Sequence, residues 1–281
     1  MFACFSKKKV PRALCIINKI GDGMSGPIYR VKEKKTGDYF TCKILKDKYQ
    51  AHREIAVLKK IKGSKLQTFY KTFKKKNKIY LLTNYIYGKD LYNEVCNPHK
   101  RLHSCIQNRI ILEMADCIEQ IHRNQFVHLD IKFENFIVCK KPYHLTLIDF
   151  GASHPLQTGL AELQMPAGTL GYTAPELFEG SYHQNSDIWS LGVCLWALVT
   201  GHWPFSRANF SHNPDEIAMY YTYPQISHQK YIHLFLICLS SQIIQKTLEL
   251  VEDGCNTPLS GTLFQSDGIL QGRNEYSIQA N

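Results

Sequence analysis

The spacing of apolar residues in the first 85 positions predicts short β-strands with one helix among them. Five segments are rich in β-branched or aromatic residues, and turns or polar loops separate them: residues 14–20, 28–32, 38–45, 66–73 and 78–85. Between the third and fourth segments, Ile55, Leu58 and Ile61 recur three positions apart, which places them on one side of a helix over residues 51–62. This part of the chain is therefore predicted to form a small sheet with a single helix.

From about residue 90 onward, the apolar spacing is that of helices. Five apolar side chains define one face of a helix over residues 107–123: Ile106, Ile110, Met114, Ile118 and Ile121. A strand-rich insert at 126–150 follows, and residues 188–199 are almost entirely apolar, as in a helix that is buried on all sides. The chain is therefore predicted to be an α+β protein, with a small sheet lobe followed by a larger, mainly helical lobe.

Composition adds an expectation about the cellular setting. The 281 residues are 44% hydrophobic and 21% charged, as in a soluble protein with a substantial core. The ten cysteines are scattered without a C-x-x-C pair, and the first residues hold no apolar run long enough for a signal peptide. The uncharged residues 231–244 are too few to span a bilayer. We therefore expect an intracellular protein, cytoplasmic or nuclear, with reduced thiols and no membrane span.

The formal net charge of +10 is concentrated at the start of the chain. Residues 1–80 contain 22 Lys or Arg against 5 Asp or Glu, a balance of +17, and the remainder contains 12 against 19, a balance of −7. One interpretation is a basic face that contacts nucleic acid or an anionic membrane, and the other is a solvated, lysine-rich surface. The lysine-rich surface is the more common case, but nucleic-acid binding stays open at this point.

A glycine-rich segment lies between the first two predicted strands. Glycines there allow backbone amides to approach phosphate oxygens, and the segment runs through Ile20, Gly21, Asp22, Gly23, Met24, Ser25, Gly26, Pro27 and Ile28. A strand follows these glycines, whereas a helix would follow them in a dinucleotide-binding fold. The segment alone is weak evidence, and it gains weight only from the residues that follow it.

Further along the chain stand residues suited to phosphoryl transfer. Lys43 on a predicted strand could pair with nucleotide phosphates, and Glu54 on the following helix could hold its ammonium. The strongest motif runs from His128 through Asp130, Lys132 and Asn135, and Asp149-Phe-Gly follows it. Asp130 would accept the proton of the attacking hydroxyl, and Lys132 would neutralise charge on the transferred group. Asn135 and Asp149 would supply the oxygen ligands that Mg²⁺ prefers.

The order of these motifs, completed by Ala174-Pro-Glu176, resembles that of the eukaryotic protein kinase family over residues 12–205. The resemblance implies the two-lobed kinase fold, with a small β-rich lobe over about 12–85, a larger helical lobe from about 90, and ATP with Mg²⁺ in the cleft between them. It also implies an adenine site formed by Ile20, Ile28, Thr41 and Ile137. Thr83 would be the gatekeeper, and Asn84, Tyr85 and Ile86 would form the hinge. Asp90 would contact the ribose. Asp187 would brace the catalytic loop, residues 128–135.

The substrate class also follows from the resemblance. Lys132, two residues after Asp130, is typical of serine/threonine kinases, and Thr169 would bond both residues. The activation segment, residues 149–176, makes a small-molecule substrate less suitable. The resemblance therefore implies transfer to serine or threonine hydroxyls of protein substrates.

Three features depart from the family pattern. Leu129 replaces an arginine that pairs with a phosphate on the activation segment, so we expect activity that does not depend on that phosphorylation. Pro27 predicts that its strand lies at a sheet edge, as in the family. The spacing of 11 residues between Lys43 and Glu54 is short, so either the connection or the helix must be shortened.

The part of the chain after residue 205 is the largest departure. Residues 206–253 predict one or two helices in an atypical continuation of the helical lobe, and residues 254–281 have the composition of a disordered tail. Arg207 and Arg273 do not stand in the motif that supplies an arginine partner for Glu176 in the family. A partly buried carboxylate without a partner would cost roughly 1–3 kcal/mol.

Two alternatives to an active kinase remain at this point. A pseudokinase, or nucleotide-binding scaffold, would be consistent with the abnormal end of the helical lobe, although it would not need Lys43, Asp130, Asn135 and Asp149 together. A basic interaction protein would use the positive segment at residues 1–80, and it predicts nucleic-acid binding with a steep salt dependence.

Overall fold

The structure, a computed structural model, describes residues 13–23, 26–46, 48–96, 102–139, 143–156, 161–162, 167–201 and 203–204. The predicted atypical segment 206–253 and the predicted disordered tail 254–281 lie outside the described residues. So do Met24 and Ser25 of the glycine-rich segment.

The first lobe is a five-stranded antiparallel sheet, as the apolar pattern predicts. Its strands lie in the order β1-β2-β3-β5-β4. Their bounds are Leu14–Gly23 (β1), Gly26–Glu33 (β2), Tyr39–Lys46 (β3), Phe69–Lys75 (β4) and Lys78–Asn84 (β5). Apolar side chains from these strands, among them Val31, Cys42 and Leu82, form a small core on one side of the sheet.

The prediction that Pro27 lies on an edge strand is wrong. Strand β2 lies between β1 and β3, and β1 forms the edge of the sheet. Pairing of β2 with β3 begins at Ile28, which lies opposite Lys43, so Pro27 stands one residue beyond that pairing. Its missing N–H therefore removes no hydrogen bond of the β2–β3 ladder. Beside it, a Cβ on Gly26 would lie 2.1 Å from the carbonyl oxygen of Ile44. Only glycine therefore permits the turn between β1 and β2 to lie this close to β3.

Among the described residues of the first lobe, the one helix is α1, Tyr49–Lys60. It buries Glu54 together with Ala51, Ile55, Val57 and Leu58, which confirms the predicted apolar face. Strand β3 ends at Lys46, so only two residues connect it to α1. The short spacing between Lys43 and Glu54 therefore comes from the connection, because the helix itself keeps 12 residues.

The second lobe is mainly helical. Its helices are Leu91–Val95 (α2), Ser104–Arg123 (α3), Pro175–Phe178 (α4) and Gln184–Thr200 (α5). Short strands connect them: Lys89–Asp90 (β6), Phe126–Val127 (β7), Phe136–Val138 (β8), Leu145–Leu147 (β9), His154–Pro155 (β10), Ala161–Glu162 (β11) and Ser181–Tyr182 (β12). A 3-10 turn, Phe133–Asn135, precedes β8.

Helices α3 and α5 carry the core of this lobe. Ile110, Met114 and Ile118 of α3 are fully buried in one apolar cluster with Leu191 and Leu195 of α5. The same cluster includes residues of α1, so the two lobes share a continuous core. Burial of these apolar side chains stabilises the lobe. No helix in the described part of the chain combines the length and apolarity that crossing a bilayer requires.

Candidate active site

A buried ion pair joins β3 to α1 and to the Asp149 loop. The Nζ atom of Lys43 lies 2.9 Å from Oε1 of Glu54 and 2.7 Å from Oδ1 of Asp149. The side chains of Lys43 and Glu54 are 9% and 3% exposed, whereas that of Asp149 is 28% exposed and so reaches the cleft. The alternation of β3 and the helical period of α1 point these two side chains at each other.

Burial and charge act in opposite directions on this group. Burial on its own would lower the pKa of Lys43, but the carboxylates of Asp149 and Glu54 outweigh it and raise that pKa. Burial on its own would raise the pKa of Asp149, but the ammonium of Lys43 holds it at about 2. Burial raises the pKa of Glu54, and Lys43 opposes the rise. The site therefore keeps Lys43 as a cation and Asp149 as an anion at neutral pH.

A second cluster forms around Asp130. The Nζ atom of Lys132 lies 3.0 Å from Oδ2 of Asp130 and donates to Oγ1 of Thr169 at 2.7 Å. The hydroxyl of Thr169 in turn donates to Oδ1 of Asp130 at 2.6 Å. The amide of Asn135 donates to Oδ2 of Asp130 at 3.0 Å and to its carbonyl oxygen at 2.7 Å. These bonds hold the carboxylate of Asp130 in one orientation.

Backbone contacts bring the two clusters together. The N–H of Ile148, next to Asp149, donates to the carbonyl oxygen of Asn135 at 2.9 Å. The charge of Lys132 adds to that of Lys43 in lowering the pKa of Asp149. The structure thus places Lys43, Asp130, Asn135 and Asp149 around one cleft.

Asp187, at the start of α5, braces the loop that carries Asp130. It is fully buried and accepts hydrogen bonds from the backbone N–H groups of His128 at 2.8 Å and Leu129 at 2.7 Å. His122, at the end of α3, lies 2.8 Å from the same carboxylate. Burial would raise the pKa of Asp187, but these hydrogen bonds outweigh it and lower the pKa. Asp187 thus stabilises a loop in which Leu129 adopts a left-handed conformation, with φ of 62°.

Two glycines lie close to the ammonium of Lys43. A Cβ on Gly23 would lie 3.3 Å from Cε of Lys43, and one on Gly151 would lie 3.4 Å from its Nζ. Side chains at these positions would fill the space that phosphate oxygens need. Asn135 uses its Nδ2 on Asp130, which leaves its Oδ1 as the atom that could meet a cation.

The oxygens present fit Mg²⁺. The described residues contain no cluster of three or more His, Cys, Asp or Glu that could hold a metal by itself. A carboxylate and an amide oxygen, from Asp149 and Asn135, are nevertheless sufficient for Mg²⁺, because this ion completes its octahedral coordination with water and substrate phosphates.

The residues predicted to contact adenine are divided between the two lobes. In the sheet, Thr41 pairs with the buried Thr83, and in the second lobe Asp90 pairs with Ile137. The structure places Ile28 on β2 and Ile20 on β1, where Ile20 is 43% exposed. Of the predicted hinge residues, Asn84 ends β5 and Tyr85 and Ile86 follow it, and all three are partly buried.

Asp90 also has a structural task that the sequence did not predict. Its carboxylate caps α2 by accepting from the backbone N–H of Asn93 at 2.8 Å and from the side-chain amide of that residue. Such a cap stabilises the helix start by satisfying a free N–H group. A contact of Asp90 with ribose would therefore have to use the remaining lone pairs of the same carboxylate.

Glu176 does have partners. Oγ of Ser186 donates to its Oε1 at 2.6 Å, and Nε2 of His183 lies 3.5 Å away. Both partners belong to the N-terminal end of α5, where His183 is the N-cap. The penalty for an unpaired Glu176 therefore does not apply, because α5 supplies a hydroxyl donor to its carboxylate. Arg207 and Arg273 lie outside the described residues.

Sequence reasoning missed two groups at this site. His122 ends a helix as an ordinary polar residue, and only its contact with Asp187 sets it apart. Arg53 precedes Glu54 on α1 and reaches the activation segment, where it contacts His154 at 2.9 Å. The single available signal was the position of Arg53 beside the predicted partner of Lys43.

Comparison with known proteins gives a family match over most of the chain. The family model described as the protein kinase domain matches residues 15–255, which reaches beyond the limit of residue 205 seen in the motifs. Calcium-dependent protein kinase 4 of Plasmodium berghei is 30% identical over 204 residues, covering 69% of this chain and 38% of that protein.

Two further relatives are also protein kinases by name. Serine/threonine-protein kinase Nek5 of Mus musculus is 28% identical, with 70% of this chain and 32% of that protein covered. CBL-interacting serine/threonine-protein kinase 17 of Arabidopsis thaliana is 30% identical, with 68% and 47% covered. The chain thus spans less than half the length of these relatives. Because the family model covers most of its length, the chain belongs to the protein kinase family.

Proposed function

We propose that this chain transfers the γ-phosphoryl group of ATP to serine or threonine hydroxyls of protein substrates. The observation that carries the proposal is the convergence of Lys43, Asp130, Asn135 and Asp149 on one cleft, with Glu54 fixing the ammonium. The similarity to serine/threonine kinases supports the substrate class. A scaffold that only bound nucleotide would not require the hydrogen-bonded group around Asp130.

The reaction needs positioning and charge stabilisation more than covalent chemistry from the protein. Lys43 would hold the phosphate chain. Its ion pair with Glu54 fixes the position of the ammonium, which also contacts Asp149. Asn135 and Asp149 would hold Mg²⁺, which supplies neutralisation of phosphate charge when bound.

Asp130 would take the proton of the acceptor hydroxyl as its oxygen forms a bond to the γ-phosphorus. The bond from that phosphorus to the β–γ bridging oxygen breaks at the same time, and ADP leaves with the electron pair. Lys132 lies 3.0 Å from Asp130 and would meet negative charge on the transferred group. Thr169 keeps both side chains in place through its two hydrogen bonds.

Transfer of labelled phosphate from Mg-ATP to generic acceptor proteins tests the proposal. We expect incorporation by the unmutated protein that a metal chelator abolishes, and none by Asp149→Ala. Asp38→Ala, at an exposed position of the first lobe, is the matched control and should behave as the unmutated protein. Equal incorporation with and without Asp149, or none in any sample, would refute the function.

Phosphatase treatment should leave the rate of the pure protein unchanged. Leu129 is 2% exposed and packs with Ala174, Leu177 and Tyr182, so apolar contacts hold the end of the activation segment against the catalytic loop. A leucine cannot form the charge-assisted contact that would make a phosphate stabilising there. The measurement is the initial rate before and after treatment, with mass spectrometry to establish that phosphate was removed. A collapse of the rate would contradict this prediction.

A further inference from the structure

Arg53 connects helix α1 to the beginning of the activation segment. Its Nη1 lies 2.9 Å from Nε2 of His154, and its Nη2 donates to the carbonyl oxygen of Gly151 at 3.1 Å. These contacts link residues about a hundred positions apart in the chain. The guanidinium of Arg53 therefore links α1, which carries Glu54, to the segment that follows Asp149.

The hydrogen-bond pattern defines the protonation state of His154. Its Nδ1 lies 2.8 Å from the carbonyl oxygen of Ala152, which can only accept, so Nδ1 carries the proton. Nε2 then carries a lone pair, which accepts a hydrogen bond from the guanidinium of Arg53. Burial, and next the charge of Arg53, lower the pKa of His154 to about 4, which keeps the ring neutral at neutral pH.

His154 has further contacts within the second lobe. His154 pairs with Val127 between β10 and β7, next to the loop that carries Asp130. Its ring lies 5.2 Å from that of Tyr182, whose hydroxyl donates to the carbonyl oxygen of Pro155 at 3.0 Å. A guanidinium bonded to this ring is therefore anchored to the second lobe.

We propose that Arg53 and His154 form a positioning contact, which holds α1 in the orientation that points Glu54 at Lys43. Arg53 and Glu54 are consecutive, so a rotation or outward shift of α1 that withdrew Glu54 would also break both contacts of Arg53. The carboxylate of Glu54 is buried, and the ammonium of Lys43 that it contacts is shared with Asp149, so a second contact on α1 would add to the hold on this helix. The contact uses only unmodified side chains, so it needs no phosphate on the activation segment.

This inference rests on the proposed function, and paired substitutions at residue 154 test it. His154→Gln keeps a neutral acceptor for Arg53, whereas His154→Leu removes it at similar size. We expect His154→Leu to lower kcat about tenfold, the effect of losing one hydrogen bond to a charged group, and His154→Gln to retain most of the rate. Arg53→Met should lower kcat at least as much, and the double variant Arg53→Met with His154→Leu should be no slower than Arg53→Met alone. Equal losses in His154→Gln and His154→Leu, or additive losses in the double variant, would overturn the proposal.

Hydrogen exchange gives a readout that does not require activity. Amides of α1, Tyr49–Lys60, should exchange about tenfold faster in His154→Leu and Arg53→Met than in the unmutated protein, and at an unchanged rate in His154→Gln. If the unmutated protein transfers no phosphate and α1 exchange still follows this order, the proposed function fails and the positioning contact stands. If α1 exchange is the same in every variant, the positioning contact is refuted, whatever the kinase assay shows.

Discussion

Asp130→Asn should lower kcat by about 10²–10⁴-fold, the usual contribution of a positioned general base. The substitution keeps the size of the side chain and one acceptor oxygen for Thr169, but it removes the charge and the proton-accepting lone pairs. The Lys43 group is separate from these bonds, because its contacts are with Glu54 and Asp149. Affinity for Mg-ATP should therefore change little.

Initial rates under saturating ATP, together with nucleotide binding measured by calorimetry, check this separation of transfer from binding. Asp149→Ala is the comparison, since loss of a metal ligand should weaken Mg-dependent binding as well as transfer. A fall in kcat of less than tenfold for Asp130→Asn would contradict the role of Asp130 as the base. Loss of nucleotide binding in the same variant would instead indicate that the loop had been disrupted.

Asp187→Ala should destabilise the protein by about 3 kcal/mol or more, because it leaves two buried N–H groups without an acceptor. Those donors belong to His128 and Leu129, and His122 loses its partner at the same time. The loop that carries Asp130 should lose its left-handed turn at Leu129, so activity should fall together with stability. Urea unfolding followed by fluorescence measures the change in free energy of unfolding.

Asp38→Ala is the matched control, since this carboxylate is exposed and should change the free energy of unfolding by less than about 0.5 kcal/mol. Acid gives an independent check of the sign. The pKa of Asp187 is lower in the folded protein than in the unfolded chain, so its contribution is present above the ordinary aspartate pKa of about 4 and is lost as pH falls through the lowered value. Asp187→Ala should therefore show a weaker loss of stability in this range. The same acid dependence in both proteins would contradict the assignment.

The pattern of apolar residues predicted the elements well, because it depends on local spacing. The strand predicted at 78–85 and the helix predicted at 107–123 appear as Lys78–Asn84 and Ser104–Arg123. The helix predicted at 188–199 begins earlier, at Gln184, because polar residues form its capped first turn. Apolar periodicity cannot detect such a turn, although capping residues can.

The strand order could not be read in this way. Pro27 is compatible with a strand that pairs on both sides, because the ladder to β3 starts one residue later. Proline alone therefore indicates a missing hydrogen bond at one position, and the extent of each ladder decides whether that position lies at an edge.

By itself, the sequence determined the two-lobed α+β plan, the family, and which residue types could bind phosphate and magnesium. Apolar spacing and the order of motifs can both be read directly along the chain. The tertiary structure alone decided the contacts that motif order did not predict. Ser186 serves Glu176, His122 joins Asp187 across 65 positions, and Arg53 reaches His154 across 101. Such contacts depend on how helices and loops pack against one another, and neither periodicity nor motif spacing encodes that packing.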